Sequence, residues 1–185
     1  MNLPNILTVS RIAMIPVFVV VFYLPYEWRF LVSAAIFALA AATDWLDGYL
    51  ARKLDQGTPF GAFLDPVADK LMVAVALTLL IEEHHSMILT VPATIIIGRE
   101  IVISALREWM AEMGKRASVA VSYVGKIKTT AQMVSIIMLL AFPLSTPGAI
   151  VGEILLYMAA ILTLWSMFMY LKAAWPDLFP KEKGL

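Results

Sequence analysis

Long apolar stretches separated by short polar segments run along the whole chain. Stretches 129–152 and 154–171 contain no charged residue, and each is about long enough to cross roughly 30 Å of hydrocarbon as a helix. Earlier apolar runs are shorter, so each can cross a bilayer only if charged residues lie within or at the end of its helix: 12–26, 30–43, 71–81 and 86–98. Ionisable groups at membrane depth are costly, and their presence there indicates function.

The apolar runs predict an all-α polytopic membrane protein with six transmembrane helices in one domain over residues 1–185. Proline, glycine or clustered charge marks each break, which gives helices over about 8–25, 29–54, 61–82, 86–110, 120–142 and 149–172. Residues 2–11 are expected to form a short interfacial segment before the first span. The composition agrees, because 61% of residues are hydrophobic and soluble domains average roughly 45–50%.

Basic residues cluster at one set of helix ends, whereas the opposite loops contain Arg29 and several glutamates. The positive-inside rule therefore places both termini, the turn 53–60 and the loop 111–119 in the cytoplasm. This distribution predicts that the cytoplasmic ends of the second and third helices carry the four aspartates of segment 42–70. Lysine plus arginine and aspartate plus glutamate balance at 14 each, so the composition indicates no nucleic-acid partner.

Four aspartates lie close together in segment 42–70, with few basic residues beside them in the sequence. Helical periodicity puts Asp44 and Asp47 on one face of the second helix, and Asp65 and Asp69 on one face of the third. A short turn joins these helices, so the two faces can oppose each other. Converging carboxylates repel in a low dielectric unless cations hold them. Hard oxygen ligands of this kind predict a site for Mg²⁺ or Mn²⁺, expected as a pair of ions.

Small residues accompany the aspartates on the same helix faces. Gly48 and Gly61 remove side chains there, which leaves space for a bulky phosphorylated ligand. Arg52 lies one turn after Gly48 and can reach a phosphate from the helix end.

The spacing Asp-x2-Asp-Gly-x2-Ala-Arg-x8-Gly-x3-Asp-x3-Asp resembles the signature of the CDP-alcohol phosphatidyltransferases. It is filled by Asp44, Asp47, Gly48, Ala51, Arg52, Gly61, Asp65 and Asp69. The flanking blocks NLPNILTVSR, GREIVISALREWMAEMGKR and VGKIKTTAQM are most similar to the bacterial branch of that family that uses glycerol 3-phosphate.

The resemblance implies an enzyme that moves a phosphatidyl group from CDP-diacylglycerol to an alcohol by direct attack and releases CMP. It implies that Asp44, Asp47 and Asp65 ligate the metals, and that Asp69 both contributes to the metal site and acts as general base. It further implies that Gly48, Ala51 and Gly61 line the nucleotide pocket, with Arg52 near the phosphates. The resemblance also implies a homodimer, and a multi-pass protein of the bacterial inner (cytoplasmic) membrane whose active site faces the cytoplasm.

Cations in the later helices suit a phosphorylated acceptor. Arg99 and Arg107 are eight residues apart, about 80° around the fourth helix, so both can face one cavity. Lys126 and Lys128 open the fifth span, and these four residues predict a binding site for the phosphate of glycerol 3-phosphate. The same residues also allow a simpler interpretation, in which Arg99 pairs with a neighbouring glutamate and the lysines contact lipid head groups.

Two alternative functions remain open from the sequence. A sister enzyme would use the same signature with phosphatidylglycerol, inositol or serine as acceptor. A cation or proton transporter would also place carboxylates in the membrane, although these aspartates cluster at one membrane face and do not follow a conduit.

Overall fold

A computed structural model of the chain describes residues 3–54, 58–114 and 123–178, and this part of the protein is all-helical. Its elements are α1 (Leu3–Phe22), α2 (Arg29–Leu54), α3 (Pro59–His84), α4 (Met87–Glu112), α5 (Tyr123–Ala141) and α6 (Pro147–Leu178). The predicted all-α class and the order of the helices are confirmed.

Two helices extend well beyond their predicted boundaries: α6 ends at Leu178 and not near residue 172, and α1 starts earlier than predicted. This helix begins at Leu3 and not near residue 8, so the described part of segment 2–11 forms its first turns and is not a separate interfacial segment. The physical reason is that Asn5, Thr8 and Arg11 lie on one face of the helix and are buried by the bundle. An interfacial helix would instead leave its polar face in water.

Helix α1 packs against both α2 and α3, and α5 packs against α2 and α6, while α4 contacts α3 and α6. The core between them is apolar, and its α1–α2 part is aromatic. Phe18 lies 6.4 Å, centroid to centroid, from both Phe22 and Phe37, and all three rings are buried. Burial of such large side chains is the main source of stability available to the bundle.

The outer surface of the bundle is as apolar as its core. Leu31, Ile101, Ile161 and Phe168 are between 64% and 67% exposed. Among the described residues, three helices contain stretches long and apolar enough to cross a bilayer: Asn5–Phe22, Met87–Glu112 and Pro147–Pro176. Large exposed apolar side chains on these helices indicate lipid contact. The protein is a membrane protein, and passage of all six helices through the bilayer stays a prediction.

Arg29 ties together the helix ends on the side away from the aspartates. Its guanidinium donates to the carbonyl of Phe22 at 2.6 Å and to Glu83 at 2.8 Å, and lies 4.2 Å from the Phe30 ring centroid. These contacts link the end of α1, the start of α2 and the end of α3, and they leave the opposite end of the bundle to carry the site.

Candidate functional site

The first half of α1 presents a polar face to α2 and α3. Asn5, Thr8 and Arg11 follow one another at three-residue intervals and are 7%, 1% and 1% exposed. Buried polar groups need partners, and this face finds them in residues around the predicted metal site.

Two of the four aspartates accept hydrogen bonds from this face of α1. Arg11 Nη1 donates to Asp44 Oδ1 at 2.7 Å, and the Thr8 hydroxyl makes a short hydrogen bond to Asp65 Oδ1. Asp44 remains 43% exposed although Arg11 is buried. Asp44 thus has a basic partner that is distant in sequence, because Arg11 lies 33 residues earlier in the chain.

Asp69 lies one turn after Asp65, at a small cavity that it shares with Arg11 and with apolar residues of α2, α3 and α5. Because Arg11 also bonds to Asp44, this cavity brings Asp69 next to the Arg11–Asp44 pair. At least three of the aspartates thus belong to one electrostatic environment, since Thr8 and Arg11 come from a single turn of α1.

The fit of the site to a divalent cation rests on the chemistry of its donors. Asp44, Asp65 and Asp69 offer hard carboxylate oxygens, which suit Mg²⁺ or Mn²⁺. Within the described residues, no three acidic or imidazole side chains are close enough together to hold an ion. The side chain of Asp47, on α2, lies outside the described part, so the complete ligand set stays a prediction.

Gly61 lies where the start of α3 meets α1. Thr58 caps α3: its hydroxyl accepts from the Gly61 N–H at 3.0 Å and donates to Asn5 Oδ1 at 2.9 Å. A Cβ on Gly61 would lie 2.7 Å from Asn5 Oδ1, so only glycine fits this contact. The other predicted nucleotide-binding residues, Gly48, Ala51 and Arg52, are on α2 with side chains outside the described part.

Cations from α4 and α5 meet around one carboxylate. Glu100 Oε1 accepts from Arg99 Nη1 at 2.5 Å and from Lys128 Nζ at 3.2 Å. The side chains of Arg99 and Lys128 are 9% and 7% exposed, so Glu100 balances two largely buried charges. The pairing of Arg99 with a neighbouring glutamate, noted as an alternative from the sequence, is therefore present together with the predicted clustering of Arg99 and Lys128.

Arg107 and Arg99 both contact α6, where Arg99 donates to the hydroxyl of Ser166 at 2.9 Å. Its Nη2 donates to the Tyr170 hydroxyl at 2.7 Å, and its guanidinium carbon lies 5.0 Å from that ring's centroid. Arg99 contacts Ser166, one turn before Tyr170, and shares Glu100 with Lys128, so these three cations form one cluster. The side chain of Lys126, the fourth predicted member, lies outside the described part.

The cationic cluster adjoins the aspartates through α3 and α4. Lys70, next to Asp69, donates to the Ser104 hydroxyl at 2.5 Å, and that hydroxyl makes a short bond to the Glu100 carbonyl. An apolar cavity of about 400 Å³ opens beside them between the two helices. Thr8 and Ser104 are site residues that the sequence analysis does not identify, because an uncharged hydroxyl in a helix carries little signal by itself. Glu100 is recognisable as the glutamate next to Arg99.

The site thus combines the aspartates, the close contact of Gly61 with α1 and an adjoining group of cations in a helical membrane bundle. A family model for the CDP-alcohol phosphatidyltransferases matches residues 1–165. The chain belongs to the CDP-alcohol phosphatidyltransferase family.

Individual relatives are similar over nearly their full length. The chain is 58% identical over 180 residues to the CDP-diacylglycerol–glycerol-3-phosphate 3-phosphatidyltransferase of Pseudomonas fluorescens, covering 96% of this chain and 92% of that protein. It is 60% identical to the proteins of the same name from Yersinia pestis (strain Pestoides F) and Sodalis glossinidius (strain morsitans). Those matches cover 96% and 97% of this chain, and 97% and 98% of the relatives.

Proposed function

We propose that this protein transfers the phosphatidyl group of CDP-diacylglycerol to glycerol 3-phosphate, giving phosphatidylglycerophosphate and CMP. The observation that carries the proposal is the similarity to relatives of that name, 58–60% identical over at least 96% of this chain. The complete aspartate signature supports the phosphatidyl transfer, and the buried cations support an acceptor that carries a phosphate.

The four aspartates are the proposed ligands of the metal on which this family generally depends. Asp44, Asp47, Asp65 and Asp69 would hold Mg²⁺ or Mn²⁺, proposed as two ions, because carboxylate oxygens are the preferred ligands of both. When bound, a divalent cation polarises the diphosphate and offsets the negative charge on departing CMP. Gly48, Ala51, Gly61 and Arg52 are the proposed contacts of the CDP-lipid.

Asp69 is the proposed general base. Its carboxylate would take the proton from the hydroxyl of glycerol 3-phosphate, and the freed oxygen would attack the phosphorus of the phosphatidyl group. The new oxygen–phosphorus bond forms as the bond from that phosphorus to the oxygen of CMP breaks. Support comes from its position, because Asp69 lines a small cavity together with Arg11, the partner of Asp44.

Arg99, Arg107, Lys126 and Lys128 are the proposed contacts of the acceptor's phosphate. Support comes from the burial of Arg99 and Lys128 in an apolar bundle, where a charge is retained only with strong partners. Glu100 already satisfies part of their charge, and a phosphate dianion beside the cluster would satisfy more. A neutral acceptor such as inositol or serine needs no such cluster.

The test is CMP release by the purified full chain in detergent or liposomes, with CDP-diacylglycerol, glycerol 3-phosphate and Mg²⁺ or Mn²⁺. We expect release to need both the acceptor and the metal, and to stop when a chelator removes the metal. Asp69→Asn should lower the rate by about 10²- to 10⁴-fold, the usual contribution of a general base. Glu112→Gln, which removes an exposed carboxylate at the end of α4, serves as the matched control and should leave the rate unchanged.

Other acceptors separate the remaining alternatives. Release with inositol, serine or phosphatidylglycerol but not with glycerol 3-phosphate would keep the reaction class and overturn the proposed acceptor. The transporter interpretation replaces this one if the folded protein releases no CMP with any alcohol tested and instead conducts cations across liposomes that contain no CDP-lipid.

A further inference from the structure

Two hydroxyl groups on α6 contact the two arginines of α4. Arg99 Nη2 donates to Ser166 Oγ at 2.9 Å, and Arg107 Nη2 donates to the Tyr170 hydroxyl at 2.7 Å. Ser166 and Tyr170 are one turn apart and therefore share a face of α6. Their neighbours in segment 164–171 are apolar, so these hydroxyls are exceptions in an oily part of the helix.

Ser166 is oriented by its own second bond. Its hydroxyl donates to the carbonyl of Thr163 at 2.9 Å, which uses its single hydrogen and leaves its oxygen to accept from Arg99. Tyr170 fixes Arg107 in two ways, because its hydroxyl accepts from the guanidinium while the ring lies 5.0 Å beneath it. Both arginines are therefore held by α6 in defined orientations.

The bonds to Glu100 and Ser166 do not use all the donors of Arg99. Its Nε is buried and has no hydrogen-bond partner among the described residues. The whole side chain is only 9% exposed, so water cannot freely supply partners. A buried guanidinium with a donor left over is suited to bind a further anion, and phosphate oxygens match its planar fork.

We propose that Ser166 and Tyr170 are positioning residues for the acceptor's phosphate, acting through Arg99 and Arg107. This inference rests on the proposed function, and it adds α6 to an acceptor site otherwise formed by α4 and α5. Neither hydroxyl needs to touch the substrate. Each restrains a long side chain before the phosphate arrives, which reduces the conformational freedom lost on binding.

Removing the hydroxyls should weaken binding of the acceptor and leave the chemical step intact. A hydrogen bond to a charged group is strong enough that its loss corresponds to a change on the order of tenfold. We expect Ser166→Ala and Tyr170→Phe each to raise the KM for glycerol 3-phosphate by about that factor. The kcat and the KM for CDP-diacylglycerol should stay at wild-type values, because the aspartates and the CDP-lipid site are untouched.

The experiment measures both KM values and kcat for the full chain, with inorganic phosphate as a competitive probe of the acceptor site. The Ki of phosphate should rise in parallel with the KM for glycerol 3-phosphate. Tyr157→Phe, on the same helix, and Ser135→Ala, whose hydroxyl donates to the Gly152 carbonyl between α5 and α6, are the matched controls. Ser166→Thr keeps the hydroxyl and should retain the wild-type KM.

The outcomes distinguish this inference from the proposed function. If wild-type protein is active with glycerol 3-phosphate and both single variants keep its KM, the inference fails alone. An equal rise in both KM values, or the same rise in the two controls, would show a general structural role and also overturn it. If wild-type protein uses only phosphate-free alcohols, the proposed acceptor fails and the inference fails with it.

Discussion

Arg11 and Asp44 form a pair in which one partner is buried and the other is partly exposed. Arg11 is 1% exposed and Asp44 is 43% exposed. Removing the carboxylate therefore costs most at the buried partner, because Arg11 loses a charge-assisted hydrogen bond in a place where water cannot replace it. Asp65 differs, because its partner Thr8 is neutral.

This difference predicts separate effects of two otherwise similar substitutions. Asp44→Asn should destabilise the protein by about 2 kcal/mol, at the low end for a broken buried pair because Asp44 is partly solvated. Asp65→Asn keeps an oxygen that accepts from Thr8, so its stability should change by less than about 1 kcal/mol. Both should lose activity if both are metal ligands. Thermal unfolding in detergent checks the stability, and equal midpoints for the two variants would contradict the prediction.

The contact between Gly61 and Asn5 predicts a second effect at the scale of single residues. Gly61→Ala would bring a methyl group to 2.7 Å from Asn5 Oδ1, which is itself bonded to Thr58. We expect a loss of about 1–3 kcal/mol, as for other overpacked sites. Gly98→Ala is the matched control, because nothing lies within 4 Å of its added methyl. Its stability should stay the same or rise by up to about 1 kcal/mol, since alanine favours helix.

A site residue can be predicted from the sequence when the signal lies in its near neighbours, and not when its role depends on a partner that is distant in the chain. The aspartates and Gly61 are recognisable from their spacing within 26 residues, and Arg99 and Lys128 from charge inside apolar runs. Arg11 could be noticed in the same way, but its pairing with Asp44 spans 33 residues and depends on how α1 packs. Ser166 and Tyr170 carry no charge, and hydroxyls in a helix are too common to indicate a partner from sequence alone.

At the scale of elements, α1 shows why boundaries are harder to predict than helix type. The apolar run from residue 12 predicts a span, but the polar residues before it resemble an interfacial segment in composition. Packing decides the outcome, because Thr8 and Arg11 bond to carboxylates of α3 and α2 and continue the helix into the site. Tertiary contacts of this kind override local preference.

Helices α4 and α5 are joined by Glu100, which predicts an effect on stability. Glu100→Gln removes the only carboxylate that the described residues give to both Arg99 and Lys128. Two buried like charges would then face each other, at a cost of about 3 kcal/mol. We expect the thermal midpoint to fall by roughly 5–10 °C. Glu108→Gln, an exposed residue on the same helix, is the control, and an equal midpoint for the two variants would contradict the pairing.

At the scale of the whole molecule, the polar groups are sorted along the bundle. The aspartates, Arg11 and the Glu100 cluster lie towards one end, whereas Arg29, Glu82 and Glu83 lie at the other, where Tyr23 also donates to Glu82. The surface between the two ends carries large apolar side chains. A water-soluble phosphorylated alcohol and a lipid-linked nucleotide can meet only at the boundary between this apolar surface and water. The side of the membrane on which the aspartates lie therefore decides which aqueous compartment supplies the alcohol.

The distribution of basic residues predicts that the aspartate end of the bundle faces the cytoplasm, and this orientation can be measured directly. The chain contains no cysteine, so single cysteines can be introduced without a background. Glu27, between α1 and α2, and Glu112, at the end of α4, are both exposed and should lie on opposite sides of the membrane. A membrane-impermeant thiol reagent added to intact spheroplasts should label Glu27→Cys, and Glu112→Cys only after permeabilisation.

Labelling controls decide what a missing signal means. Both variants must react in detergent, which shows that each thiol is accessible in the folded protein, and both must retain CMP release. Labelling of Glu112→Cys alone in intact spheroplasts would place the aspartates on the outer side and overturn the predicted orientation. Three predicted spans, α2, α3 and α4, separate Glu27 from Glu112, so the two residues should lie on opposite sides of the membrane. Labelling of both variants from outside would mean that these helices do not all cross, and it would overturn the six-span topology as well as the orientation.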